Sequence, residues 1–285
     1  MGAVGPFMNQ AAKGVRRQLN LMRSRLLDRR YDFILHPGPW EPNLAGQTQN
    51  DLDVLLEGWL GHDKPLTILD LSGVPSAVLN NLVGSILRIV YEALFWSREK
   101  TEGGVLRPLL VVMEEAHRYL SSHGKEGESL AADIVKRIAK EGRKYGVGAM
   151  VVSQRPSEVD ETVLSQCGTI IALRLSNPED RSRVKGALPD NLAGLTDLLP
   201  ILRTGEAIVT GEAARLPVRC RVGLPSPQHQ PRSSDPDVTK AWSVKRVAEG
   251  YDRVMASWRA QRTFAVAHVV NMVRTQVVDK AEGEE

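Results

Sequence analysis

The stretch Leu109-Leu-Val-Val-Met-Glu-Glu-Ala-His117 constrains this chain more than any other. Its apolar residues run without a break into two adjacent carboxylates. An unbroken run of this length reads as a strand buried on both faces, the habit of parallel sheets covered by helices. Acidic residues at the carboxyl end of such a strand stand where open α/β sheets bind ligands. This is the pattern of a Walker B strand. Glu114 is placed to hold Mg²⁺, directly or through water, and Glu115 to polarise an attacking water. The companion phosphate loop, G-x-x-x-x-G-K-[ST], occurs nowhere in the 285 residues. The nearest imitation, Gly58-Trp-Leu-Gly61-His-Asp-Lys64-Pro65, has the wrong glycine spacing and puts proline after the lysine.

Strands and helices alternate around that segment. Residues 66–71, 109–113, 146–153 and 169–174 read as strands, with closing strands at 206–210 and 215–222. Helical patterns fill 76–98, 129–144 and 158–166, and Asn177-Pro-Glu-Asp180 can cap another helix. The implied class is α/β, a mostly parallel sheet flanked by helices on both faces. Helical extensions are expected at both ends: a basic segment over 1–43, a core over 44–225, and a linker with a C-terminal helical extension over 226–285.

Residues 11–30 hold seven basic residues and one acidic residue. Leu19, Met22, Leu26 and Leu27 recur there at helical spacing. The segment reads as an amphipathic helix with a solvated basic face, or as one whose Arg16, Arg17, Arg23 and Arg25 meet nucleic-acid phosphates. The net charge of +3 permits such contact without demanding it. Near the other end, Val238, Trp242, Val247, Tyr251, Val254, Met255 and Trp258 form a stripe suited to a docked helix or an oligomer contact. The acidic end after Asp279 reads as a frayed tail. Two cysteines far apart, no secretory signal and no apolar run of membrane-spanning length imply a cytoplasmic protein.

Three further signals follow Glu114-Glu115 on successive elements. Arg143 ends a helix before the next strand; it is a helix-end cation, or an arginine finger for a neighbouring subunit's γ-phosphate. Ser153-Gln154 ends that strand; Gln154 is a hydrogen-bonded terminus, or an amide that holds the attacking water. Arg174 ends the strand after it and is a phosphate-facing arginine or a partner for Asp180. The Glu114-x-x-His117 spacing also suits a di-iron bundle. Such a site needs a second copy of the motif on helices, and none exists here.

The runs VVMEEAHRYL and AKEGRKYGVGAMVVSQRPSEVDETVLSQCGTIIALRLSNPED, with LTILDLSGVP before and TGEAIVTGEAARLPVRCRV after, resemble the HerA branch of the HerA/FtsK ring ATPases over roughly residues 30–225. The resemblance implies a RecA-like, P-loop NTPase-type fold, ATP and Mg²⁺ as cofactors, and a homo-hexameric ring that translocates on double-stranded DNA. It also implies a nuclease or an anti-phage defence effector as a possible partner, and no membrane. By resemblance Glu115 is the catalytic glutamate, Glu114 the Mg²⁺-side acid, Gln154 the sensor and Arg143 the trans finger. The family's β-barrel, phosphate loop and following aspartate-bearing strand are expected upstream of Met1. A chain lacking that loop loses its main anion site, so poor ATP binding and negligible hydrolysis are expected of it alone.

Overall fold

The computed structural model describes residues 12–121, 129–188, 190–230, 238–244 and 250–260. They fall in two compact units, one drawn from Met1–Pro75 and Ala248–Glu285, the other from Ser76–Val247. The acidic tail and residues 231–237 of the linker lie outside the described residues.

In the first unit the basic segment is helical over α1 (Ala12–Leu26), with Arg16, Arg17, Arg23 and Arg25 all exposed. The helix stops short of the expected residue 30 because Asp28 caps the next turn instead. Its carboxylate accepts from the Arg30 backbone N–H and grips the Arg30 guanidinium at 2.7 Å. Short helices α2 (Asp32–Leu35) and α3 (Leu52–Leu56) follow, the latter continuing into a π turn over Glu57–Gly61.

Residues 66–71, expected as a strand, form no regular element and join no ladder among the described residues. A strand exists through its partner's N–H and C=O groups, and no described segment offers them here. Leu66 and Ile68 are accordingly exposed.

The second unit opens with α4 (Ser76–Trp96), and the sequence after it forms β1 (Leu109–Met113), α5 (Leu130–Glu141) and β2 (Val147–Val151). Strands β1 and β2 pair in parallel, from Leu109 opposite Val147 to Met113 opposite Val151. Helix α5 packs along α4 and β2. The helices approach so closely at Gly84 that an added Cβ would stand 2.6 Å from Leu130 Cγ and 2.9 Å from the Ala131 backbone nitrogen. The opposite face of the β1–β2 pair, carrying Leu110, Val112 and Met150, is exposed.

Helix α4 alters one expectation. By length and composition alone it is apolar enough to cross a membrane. Its Leu79, Val83, Leu87, Val90, Tyr91 and Leu94 are buried, however, and it packs on α5, as a core helix does.

Helix α6 (Glu161–Ser165) leads to β3 (Thr169–Ala172), then α7 (Pro178–Ala187), β4 (Glu206–Gly211) and β5 (Val218–Arg221). The last three strands form an antiparallel sheet in the order β3-β4-β5. Helix α7 starts as read from sequence, with Asn177 as N-cap and Pro178 in the first turn. A small core of Ala172, Val184, Leu199, Leu202 and Ile208 joins this sheet to α7 and the 3₁₀ stretch Asp190–Ile201. Of the C-terminal stripe, Val238 and Trp242 of α8 (Val238–Ser243) are exposed, as are, in the first unit, Tyr251 and the residues Val254, Met255 and Trp258 of α9 (Asp252–Ala260); Val247 lies outside the described residues.

Candidate active site

The parallel pairing of β1 and β2 decides the site. Because Met113 lies opposite Val151, the chain ends leaving the two strands emerge side by side. Backbone bonds from Val152 to Met113 (2.9 Å) and from Ala116 to Val152 (3.0 Å) extend the pairing past the strand ends. Glu115 and Gln154, 39 residues apart in sequence, thereby meet: Gln154 Nε2 donates to Glu115 Oε1 at 2.6 Å.

Glu115 occupies the left-handed region at φ 49°, ψ 41°, and no other non-glycine residue with positive φ occurs among the described residues. That conformation costs a bulky residue free energy and tends to mark functional turns. Here it breaks β1 sharply, so that the 3₁₀ turn Ala116–Arg118 folds back and brings His117 beneath the carboxylate. His117 Nδ1 lies 3.5 Å from Glu115 Oε2 and 3.2 Å from Ser153 Oγ. Ser153 Oγ also accepts from the Arg155 backbone N–H at 3.0 Å. Three signals of the sequence, Glu115, Ser153 and Gln154, thus join one polar cluster, two hydrogen-bonded pairs brought together by the 3.5 Å approach of His117 to Glu115. His117 is a further member, which sequence reasoning weighs only as a metal ligand. Its position two residues after Glu115, in a turn, is the signal that could have found it.

Glu114 is exposed at the mouth of β1, and its carboxylate has no hydrogen-bond partner among the described residues. Its carbonyl oxygen accepts from the Tyr119 hydroxyl at 2.7 Å. Burial, with the Glu114 carboxylate adding to it, pushes the Tyr119 phenol up to about 12.

Arg143 lies elsewhere. It sits exposed in the 3₁₀ turn Gly142–Tyr145, just before β2, whereas Gln154 follows β2. At about 3.3 Å per residue the strand alone separates the two ends by roughly 13 Å. Tyr145 anchors that turn by ring contacts with Tyr91 and Phe95 of α4. Arg143 therefore does not reach the Glu115 carboxylate of its own chain. Arg174 is exposed two residues past the end of β3. It is not the partner of Asp180, whose carboxylate accepts instead from the Ser157 backbone N–H (3.0 Å) and hydroxyl (2.6 Å).

The residues suit the metal and water side of a bound nucleotide. Among the described residues no cluster of three or more His, Cys, Asp or Glu could hold a metal unaided. Mg²⁺ on a nucleotide needs no such cage, since one or two carboxylates supplement phosphate and water oxygens, and Glu114 offers such a carboxylate. When bound, the ion would neutralise charge on the phosphates. The 58–65 stretch does not form a phosphate cradle: the Lys64 backbone N–H is spent on His62 Nδ1 (3.1 Å), and His62 Nε2 meets Thr67 Oγ1 at 2.8 Å.

With this geometry in view, residues 91–246 match the family Helicase HerA-like C-terminal. The chain belongs to that family. Among its relatives, the DNA double-strand break repair helicase HerA of Sulfolobus acidocaldarius is 34% identical over 194 residues, covering 68% of this chain and 38% of that protein. HerA of Pyrococcus furiosus is 41% identical over 132 residues, 46% of this chain and 23% of that protein. The HerA-like chain thus spans well under half the length of these relatives. In structure it partly overlaps the genome packaging NTPase B204 of Sulfolobus turreted icosahedral virus 2 in complex with AMPPCP. That match has 13% identity and a TM-score of 0.38, covering 50% of this chain and 63% of that one.

Proposed function

We propose that this chain is the ATP-hydrolysing portion of a HerA-like translocase that moves on double-stranded DNA as a homo-hexameric ring. The observation that carries the reading is the 2.6 Å contact between Gln154 and Glu115 at the carboxyl mouth of two parallel strands. The Glu115 carboxylate is positioned to accept a proton from an attacking water, and the Gln154 amide to orient that water. Glu114 holds Mg²⁺ at the same mouth. Arg143 serves the site of a neighbouring subunit, and Arg174 contacts phosphate. Exposed Arg16, Arg17, Arg23 and Arg25 on α1 contact DNA phosphates. A cytoplasmic place suits a DNA motor whose Cys167 and Cys220 are both unpaired. The HerA names of its relatives support the assignment of DNA as cargo, and a nuclease or defence effector is the kind of partner such a ring would serve.

The 285 residues hold no phosphate loop, so turnover requires one supplied from elsewhere. The test is ATP hydrolysis by the purified chain, alone and mixed with a polypeptide bearing the family's phosphate-loop portion. Negligible turnover alone, restored on mixing and abolished by Glu115→Gln, is expected. Robust turnover by the chain alone that Glu115→Gln abolishes would overturn the dependence on a second segment.

The missing phosphate loop favours one alternative: a non-catalytic ring or adaptor subunit that lends Arg143 to a partner ATPase. Under it, Glu115→Gln leaves the mixed activity intact and Arg143→Ala removes it.

A further inference from the structure

A sensor glutamine is useful only if its amide is held still. Gln154 lies on a loop rather than on β2, so something beyond the strand has to hold it. On one side the loop is tied by Ser153 Oγ, which meets His117 and accepts from the Arg155 backbone N–H. On the other side Pro156 opens the 3₁₀ turn Pro156–Glu158, and Ser157 follows.

All the polar groups of Ser157 go to one helix. Its backbone N–H and its hydroxyl donate to Asp180 Oδ1, and its carbonyl oxygen faces Arg183 Nη2 at 3.5 Å. Arg183 Nη1 also pairs with Glu161 Oε2 at 2.8 Å. Asp180 and Arg183 are one turn apart on α7, so a single helix face grips the exit of the loop. Asp180 is only 5% exposed, a rare state for a carboxylate, and among the described residues its donors both come from Ser157. Proline at 156 has no N–H to offer and fixes its own φ, so the Ser157 N–H is the first that the turn can present to a cap.

We propose that Asp180 is a positioning residue for Gln154: from α7 it caps the turn that leaves the sensor loop and so holds the Gln154 amide against Glu115. The idea rests on the reading of Gln154 as the sensor, but its structural content does not depend on turnover. It assigns to the Asn177-Pro-Glu-Asp180 motif a task beyond starting its own helix. It also links the element after β3 to the chemistry at the end of β2. Between Ser157 and Gln154 lie only Arg155 and Pro156, and the α region is disfavoured for the residue before a proline, Arg155 standing at φ -130°, ψ 73°. A shift of Ser157 therefore carries through to Gln154 with little slack.

The experiment is NMR of the full chain with ¹⁵N-labelled glutamine side chains, the Gln154 pair being assigned by its loss in Gln154→Ala. In the native chain the Gln154 amide proton donated to Glu115 should be displaced from the free-amide position and should exchange more slowly than its geminal partner. In Asp180→Ala it should move to the free-amide position, while the backbone amides of β1 and β2 keep their shifts. Asp180→Asn, which retains the accepting oxygen, should preserve most of the native signature; Ser157→Ala, which keeps the N–H donor, should fall between. Should Asp180→Ala fail to fold, the order native, Asp180→Asn, Ser157→Ala is read in the same way. An unmoved Gln154 pair in Ser157→Ala and in a folded Asp180→Ala overturns the proposal. That outcome is distinct from failure of the ATPase reading, which shows as mixed-chain hydrolysis indifferent to Glu115→Gln.

Discussion

Gln154 Nε2 lies 2.6 Å from Glu115 Oε1, a contact made across two parallel strands by residues 39 positions apart. Neither side chain is buried away from water, so the bond is a modest stabiliser worth about 1 kcal/mol. Under the proposed function its weight lies in chemistry. In a reconstituted ring, Glu115→Gln should lower kcat by about 10²–10⁴-fold, the usual contribution of a general base. Gln154→Ala should lower it by about a hundredfold, the order seen when one preorganised hydrogen-bond donor is removed. Steady-state hydrolysis with the melting temperature unchanged is the check.

Arg143 stands at the far end of β2 from that pair. If it acts across a subunit boundary, Arg143→Ala should cost about a thousandfold or more in kcat. Rings mixed from Glu115→Gln and Arg143→Ala chains should then recover part of the missing activity, because some sites pair an intact Glu115 with an intact Arg143. A finger acting within its own chain would allow no recovery.

Gly84 lets α4 and α5 touch. Gly84→Ala would press a methyl group against Leu130 and the Ala131 backbone. Overpacking of this kind typically costs about 1–3 kcal/mol. Denaturant unfolding should show the loss as a lower midpoint with an unchanged slope.

Tyr119 ties the turn after β1 to the Glu114 carbonyl. Its phenol titrates at about 12 in the fold against 10 ordinarily, burial being the larger cause. The raised value means that the protonated form is favoured by folding. Its stabilising effect is complete below pH 10, where the unfolded phenol is also protonated, and is lost as pH rises from 10 through about 12. Tyr119→Phe should flatten that part of the stability profile, read by denaturation at pH 9, 10 and 11.

The exposed arginines of α1 bear on DNA. If Arg16, Arg17, Arg23 and Arg25 contact phosphates, replacing all four by Gln should weaken duplex binding irrespective of base sequence. The slope of log K against log salt should become shallower by about 0.9 for each arginine that had neutralised a phosphate. A slope that stays put would remove this segment from the DNA interface.

Much of the fold was legible because its signals are local. The run 109–113 is apolar without interruption and became β1 at the boundaries read for it. Asn177-Pro178 started a helix because an N-cap side chain and a proline in the first turn act within a few residues. The strand expected at 66–71 has the same kind of composition, yet a strand needs a partner, and pairing is not written into the segment itself. The apolar length of α4 likewise says nothing of what covers it; only packing on α5 marks it as core.

By itself the sequence determined which residue types are the candidates for chemistry and in what order they come: carboxylates closing one strand, an amide closing the next, an arginine before it. Order along a chain follows from composition and short-range sterics. Tertiary structure alone decided who meets whom. The parallel register of β1 and β2 brings Gln154 to Glu115 and leaves Arg143 at the opposite end. Packing of α7 gives Asp180 to Ser157 and not to Arg174. Such contacts span 23 to 39 residues, and their partners are chosen by strand register and helix packing, which no local pattern encodes.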